Sequence, residues 1–207
     1  DFPYESVYCT RLDMDRHRIS EKEKAKLKRL REEMIKLPIL EIPKGAQSLK
    51  DLPKIMQQTV QRLDEIFWRE VSSLEIGKIL SEVNPVGGSE KAAAVKDIAA
   101  RLKDSFQNVM YVGDSITDTA AFKLVRNANG LTVSFNGNNF AVREAEIAIL
   151  SENAIVTALL ADAYNRFGKF SVMNLIREWK PSTIEKSKLY QPLKKCFFKL
   201  CRKRFPG

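Results

Sequence analysis

The stretch Asn108-Val109-Met110-Tyr111-Val112-Gly113-Asp114-Ser115-Ile116-Thr117-Asp118 decides the reading of this chain. Residues 108–112 are apolar and β-prone, as a buried strand requires. Gly113 to Asp118 then forms a polar loop, and a helix is predicted over 118–125. Working outward, Leu131-Thr132-Val133-Ser134-Phe135 and Ile147-Ala148-Ile149-Leu150 read as two further strands, with a helix over 153–165. Upstream, Gly87-Gly88-Ser89 leads into Glu90-Lys91-Ala92-Ala93-Ala94, an Ala-rich helix start with Ser89 in the capping position. Strands alternating with helices imply an α/β fold, a doubly wound parallel sheet. Such sheets bind ligands at the carboxyl ends of their strands, where Gly113 to Asp118 lies.

Two carboxylates four residues apart, Asp114 and Asp118, can converge there on one hard cation. Mg²⁺ suits the pattern, because it takes oxygen ligands and keeps waters and substrate phosphate in its shell. Gly113 permits close backbone approach. The competing reading is structural: Asp118 caps the next helix and Asp114 ends a strand. Lys91 tips the balance toward chemistry. It lies 23 positions before Asp114, at the start of the helix that feeds the strand. A helix N-terminus already favours anions, and a lysine there adds a full positive charge beside a phosphate. The alternative, one solvated lysine among several such as Lys96, is disfavoured by the position of Lys91 just after Gly87-Gly88-Ser89.

These pieces resemble the haloacid dehalogenase superfamily of phosphohydrolases, specifically its C-terminal part. The match spans residues 85–155: the helix-initiating lysine, the strand Val109–Val112 and the Gly-Asp-x-x-x-Asp loop. Ala121-Phe122, Gly130 to Asn138 and Ala141 to Ala148 follow in the family's order. The resemblance implies Mg²⁺-dependent phosphoryl transfer to and from an aspartate, acting on a small phosphorylated molecule. Lys91 would stabilise nucleophile and phosphate. Asp114 and Asp118 would hold the metal, with Gly113 and Ser115 in the phosphate and metal loop. Thr117 stands where many members carry Asn. The chain is also similar to an archaeal group described as a subunit of energy-converting hydrogenase.

The family's nucleophile lies in an Asp-x-Asp motif after a first hydrophobic strand. Asp13-Met14-Asp15 has that form, but Cys9-Thr10-Arg11-Leu12 is a poor buried strand and Arg16-His17 replaces small residues. The nucleophile is therefore expected to be absent from this chain. The alternative is a non-catalytic accessory or binding module of a larger complex. The chain opens at Asp1 with neither Met nor a signal pattern, so it reads as a fragment or a processed form.

Four regions are expected. Residues 1–19 hold a first core strand, at 6–12. Residues 20–84 form a helical insertion, a possible cap, opened by the capping box Ser20/Glu23 and continued by a helical stretch after Ser48/Asp51. Its apolar positions Ile55, Met56, Val60, Leu63, Ile66, Phe67 and Trp68 are expected in a core. Residues 85–180 form the haloacid dehalogenase-like core, and residues 181–207 a basic tail.

Composition narrows the function classes. At 44% apolar and 29% charged, the 207 residues suit a globular domain with a real core, and no apolar run is long enough to span a bilayer. Cys9, Cys196 and Cys201 are too scattered for a disulfide framework or zinc site, which points to a reducing cytoplasm. His17, the only histidine, lies between Arg16 and Arg18 and reads as a surface residue. Of the net charge of +9, +7 falls in residues 185–207, leaving +2 for the preceding 184. That distribution argues against a nucleic-acid partner. On a helix, Leu193, Cys196, Phe197, Leu200 and Cys201 make an apolar stripe flanked by lysine and arginine. It suits peripheral contact with a membrane surface, an acidic partner protein, or docking back on the domain.

Overall fold

This computed structural model describes residues 3–204 apart from 44, 47 and 84. Contacts divide the chain into two compact units: Cys9–Pro85, and Asp1–Tyr8 with Val86–Gly207.

The unit Cys9–Pro85 is helical among its described residues. Helix α1 (Glu21–Lys36) begins at the predicted capping box: the Ser20 hydroxyl accepts the Glu23 N–H, and the Glu23 carboxylate accepts the Ser20 N–H. Ser48 and Asp51 form a second capping box, but on a single 3₁₀ turn (Leu49–Asp51). Helix α2 (Lys54–Glu65) then continues as a π-helical turn, Ile66–Val71. Of the positions expected in a core, Ile66 is buried, whereas Trp68 is 66% exposed and Ile55 and Phe67 are also exposed. Ile55 lies in the first turn of α2, and the helical neighbours of Trp68 at i−4 and i−7 are Asp64 and Gln61, so both stand off the apolar stripe. A short helix α3 (Ile79–Glu82) follows. His17 also departs from expectation: its side chain is only 7% exposed, with Nε2 3.2 Å from Glu82.

The second unit carries the sheet. Helix α4 spans Ser89–Leu102, strand β1 Met110–Gly113, helix α5 Thr119–Asn127 and strand β2 Leu131–Phe135. Helix α6 (Asn139–Glu144), strand β3 (Ile147–Ile149) and helices α7 (Ile155–Arg177), α8 (Pro181–Lys186) and α9 (Gln191–Arg204) complete it. The three strands are parallel in the order β1-β2-β3, with Val112 beside Val133 and Ser134 beside Ala148. The predicted α/β fold with a parallel sheet is thus present. The central strand is buried from Leu131 through Ser134. The helix start differs by one residue from expectation. Gly88, at φ +51°, occupies the N-cap and Ser89 is the first helical residue, because the cap conformation is one that side chains resist.

The strand expected at 6–12 does not form. Tyr4–Ser6 is a 3₁₀ turn, residues 7–13 have no regular structure, and Val7 and Leu12 are exposed. β-propensity needs a strand to pair with. Instead, the Tyr8 phenol is drawn to the side of α4, where it donates to Asp97 and accepts from Arg101 at 2.7 Å.

Residues 181–201, read as the start of a tail, fold onto the sheet unit. Ile184, Leu189 and Phe197 join Leu131, Val133, Leu159 and Leu160 in one hydrophobic cluster, with Leu193 and Cys201 packed against it. Phe197 meets Trp179 and Phe198 edge to face at 6.1 and 5.3 Å. Leu193, Phe197 and Cys201 of the apolar stripe therefore dock on the domain, while Cys196 and Leu200 stay exposed. Phe197→Ala is expected to destabilise the fold by about 3 kcal/mol, the usual cost of emptying a buried aromatic site. Urea unfolding checks this, and a loss under about 1 kcal/mol would mean that α9 is loosely attached.

Candidate active site at the end of the first strand

At the carboxyl end of β1 the chain turns through a 3₁₀ segment, Ile116–Asp118, into α5. Side chains alternate along a strand, so Tyr111 and position 113 face the same way. Position 113 has no side chain, and Asp118 fills its place. A Cβ on Gly113 would stand 2.5 Å from Asp118 Cγ and 2.6 Å from its Cβ. Glycine is therefore required here for close approach.

Asp118 is 2% exposed. Its Oδ2 accepts the N–H of Asp114 at 3.1 Å, the N–H of Ser115 at 3.0 Å and the Ser115 hydroxyl at 3.2 Å. Its Oδ1 accepts from Lys91 Nζ at 2.8 Å and from the Tyr111 hydroxyl at 2.8 Å. Burial opposes the charged carboxylate. The bonds from Lys91, Tyr111, Ser115 and Asp114 outweigh it and bring the pKa down to about 2. The same burial, helped by the Asp118 charge, pushes the Tyr111 phenol well up, so it remains a proton donor.

Lys91 comes from the first turn of α4. The start of that helix is tied to the loop by the Gly88 N–H, which donates to the Thr117 carbonyl at 2.9 Å. The ammonium is held against Asp118 while its side chain keeps 29% exposure, so one side stays open to solvent. Asp114 differs from Asp118 in kind. Its backbone is fixed, because its carbonyl accepts the Asn138 N–H at 2.8 Å, yet its carboxylate is exposed and bears no hydrogen bond or ion pair to the described residues.

The predicted residues Lys91, Gly113, Asp114, Ser115 and Asp118 are thus brought together, although the two carboxylates take different roles. Tyr111 and Asn138 escaped the sequence reading. Tyr111 was legible from the alternation that places it under Gly113; Asn138 carried no comparable signal. Asp13, the rejected nucleophile, belongs to the other unit and accepts the Asp15 N–H at 3.2 Å.

With this geometry in place, comparison with known proteins becomes informative. The profile of the haloacid dehalogenase-like hydrolases matches residues 5–159, three quarters of the chain. The chain belongs to that family. Among solved structures, a gene product of Archaeoglobus fulgidus resembles this haloacid dehalogenase-like chain with a TM-score of 0.63 and 24% identity. The likeness covers 82% of this chain and 46% of the archaeal one, and at that identity it bears on fold alone. The chain thus spans about half the length of that neighbour. Comparison with curated proteins gave no match.

The family's usual cofactor can be tested against these side chains. No group of three or more His, Cys, Asp or Glu is gathered among the described residues. Mg²⁺ does not need such a cage, since it is held by one or two carboxylates with waters and phosphate oxygens completing the shell. An exposed, unpaired carboxylate on a fixed backbone fits that requirement, and Asp114 supplies it.

Proposed function

We propose that this haloacid dehalogenase-like chain provides the metal- and phosphate-binding half of a Mg²⁺-dependent phosphatase site for a small phosphorylated molecule. Asp114 contacts the metal. Lys91 faces the phosphate and the nucleophile, and buried Asp118 holds Lys91 and the loop backbone in place. Mg²⁺, when bound, would polarise the phosphoryl oxygens. The nucleophilic carboxylate comes from a strand outside this sheet, paired along the free edge of β1.

The observation that carries the proposal is the contrast between β1, at whose end the charged site lies, and its neighbour β2. Strands of parallel sheets are normally covered on both faces. Yet Val112 is 39% exposed and Met110, Tyr111 and Gly113 are only half-buried, whereas β2 is buried through four residues. An apolar strand left open in this way, beside a pre-positioned ammonium and carboxylate, suits one more parallel strand. A carboxylate at that strand's end would face Lys91.

The accessory-module reading has its own support: Lys91 is already neutralised by Asp118, so the pair also makes sense as structure alone. Activity separates the two. Residues 1–207 alone should hydrolyse no aryl phosphate, because the residues identified bind charge but form no covalent intermediate. Any form of the protein carrying an Asp-x-Asp strand should hydrolyse para-nitrophenyl phosphate with Mg²⁺. Lys91→Ala and Asp114→Asn should each lower that rate by roughly 10²-fold or more, as removal of one electrostatic stabiliser does. Turnover by residues 1–207, abolished by Asp13→Asn, would instead restore Asp13 as nucleophile. No turnover by any longer form would favour the accessory module.

The described residues contain no helix long and apolar enough to cross a membrane. Free thiols at Cys9, Cys196 and Cys201 suit a reducing compartment, and we place the protein in the cytoplasm. The resemblance to the archaeal hydrogenase-subunit group extends the same proposal to work within a larger assembly.

A further inference from the structure

We infer that a cavity between α7 and the link from α8 to α9 is a docking site for an acidic segment of a partner protein that inserts one apolar side chain. The cavity measures about 220 Å³. Ala163, Phe167, Ser171 and Leu175, at four-residue intervals, line one side, and Ser187 and Leu189 close the other. Its hydroxyls are already committed: Ser171 donates to the Phe167 carbonyl at 2.8 Å, and Ser187 to the Ile184 carbonyl at 2.6 Å. The walls therefore favour an apolar group of side-chain size.

Phe167 lines this opening, and Phe170 and Tyr190 stand next in the chain to its lining residues Ser171 and Leu189. Gly168 interrupts α7 at φ +74°, ψ 176°, a conformation that only glycine adopts readily. On either side of it Phe167 is 42% and Phe170 77% exposed. Tyr190, half exposed, lies under Arg166, whose guanidinium is 6.0 Å from the ring centre. Aromatic side chains around a pocket are the usual anchoring surface of protein interfaces.

Charge identifies the partner. Arg166 and Lys169 on α7 are neutralised by Asp162 at 2.7 Å and Glu146 at 2.8 Å. Lys180, Lys186, Lys188, Lys195 and Lys199 are exposed, and none forms an ion pair with a carboxylate among the described residues. Glu185 is the sole acid in residues 180–199. Lys194 is spoken for, being buried with its ammonium on the Glu185 and Ser187 carbonyls at 2.9 and 2.7 Å. Lys188 lines the cavity, and Lys186 and Lys188 straddle Ser187. Unpaired lysines beside an apolar slot complement a segment with carboxylates around one large apolar residue. A membrane surface fits less well, because Phe197 on α9 is turned into the core and only Cys196 and Leu200 of its apolar stripe are left exposed.

A displayed library of random nine-residue peptides, selected on the full chain, tests this. The expected consensus is Asp/Glu around a central Leu, Phe, Trp or Met. The best synthetic peptide should bind about tenfold more weakly to the double variant Lys186→Glu/Lys188→Glu, in which two attractive charges become repulsive. It should also weaken with Ser171→Trp, which fills the cavity. The lysine variant alters exposed positions and decides the matter if Ser171→Trp fails to fold. A neutral or basic consensus, no enriched family, or binding indifferent to the lysine variant would overturn the inference. So would tighter binding to phosphatidylglycerol vesicles or a single-stranded oligonucleotide than to any selected peptide.

Discussion

Asp118→Asn is expected to destabilise the folded chain by about 3 kcal/mol, the lower end of the cost of breaking a buried ion pair. The substitution keeps the shape, and the amide oxygen can still accept the N–H groups of Asp114 and Ser115. Its amide nitrogen then meets Lys91 Nζ, which loses a partner at 2.8 Å and has none in exchange. The 29% exposure of Lys91 lets water recover part of the loss, hence the lower figure. A pH signature identifies the cause. Because the folded Asp118 pKa is lowered to about 2, its contribution is present above the ordinary carboxylate value and lost as pH falls through about 2. The stability gap between parent and variant should therefore be constant from pH 7 to 5 and close as the pH falls toward 2. Urea unfolding at several pH values measures it. A gap that widens on acidification would show that Asp118 is not held as the anion.

Gly113→Ala is expected to cost a similar amount, about 3 kcal/mol, the upper range for forcing a methyl group into a packed site. The new Cβ would lie 2.5 Å from Asp118 Cγ and 2.9 Å from Oδ1. Asp118 cannot swing aside as an exposed side chain could, because both its oxygens are bonded and its surroundings are closed. Either the loop shifts or several of those bonds break. A second consequence separates this from ordinary overpacking: the Ser115 and Asp114 amide resonances should move more than those of the α7 core. Near-parent stability with unmoved amides would mean that the loop has slack around position 113.

The sequence made the sheet unit legible because its signals are local. The strand Leu131–Phe135 has the predicted bounds, and the Gly-Asp-x-x-x-Asp loop marks the end of β1. Capping residues fixed the start of α1 for the same reason. Errors arose where a long-range partner or a backbone special decides the outcome. Residues 6–12 have strand propensity, but the Tyr8 phenol found Asp97 and Arg101 on α4 instead of a sheet edge. The first helical segment of α7 gives way at Gly168, close to the predicted end at 165, and a second segment that the pattern did not show carries on to Arg177. Trp68 was expected in the core for its apolar side chain, but it follows Asp64 and Gln61 at helical spacing and so faces solvent.

In the candidate site, which residues come together was legible and how each is bonded was not. Spacing placed Asp114 and Asp118 together as candidate metal ligands. Their difference arises from Gly113, which opens room beneath the strand, and from Tyr111, which faces that room. Asp118 thereby becomes the buried anchor of Lys91, and Asp114 is left as the free carboxylate.

Titration of the full chain with Mn²⁺, standing in for Mg²⁺ and followed by paramagnetic broadening of amide resonances, tests the central assignment most directly and detects even weak binding. The account predicts selective broadening at residues 113–118 that Mg²⁺ reverses and Asp114→Asn abolishes. Broadening spread over the acidic surface, or unchanged in Asp114→Asn, would contradict it.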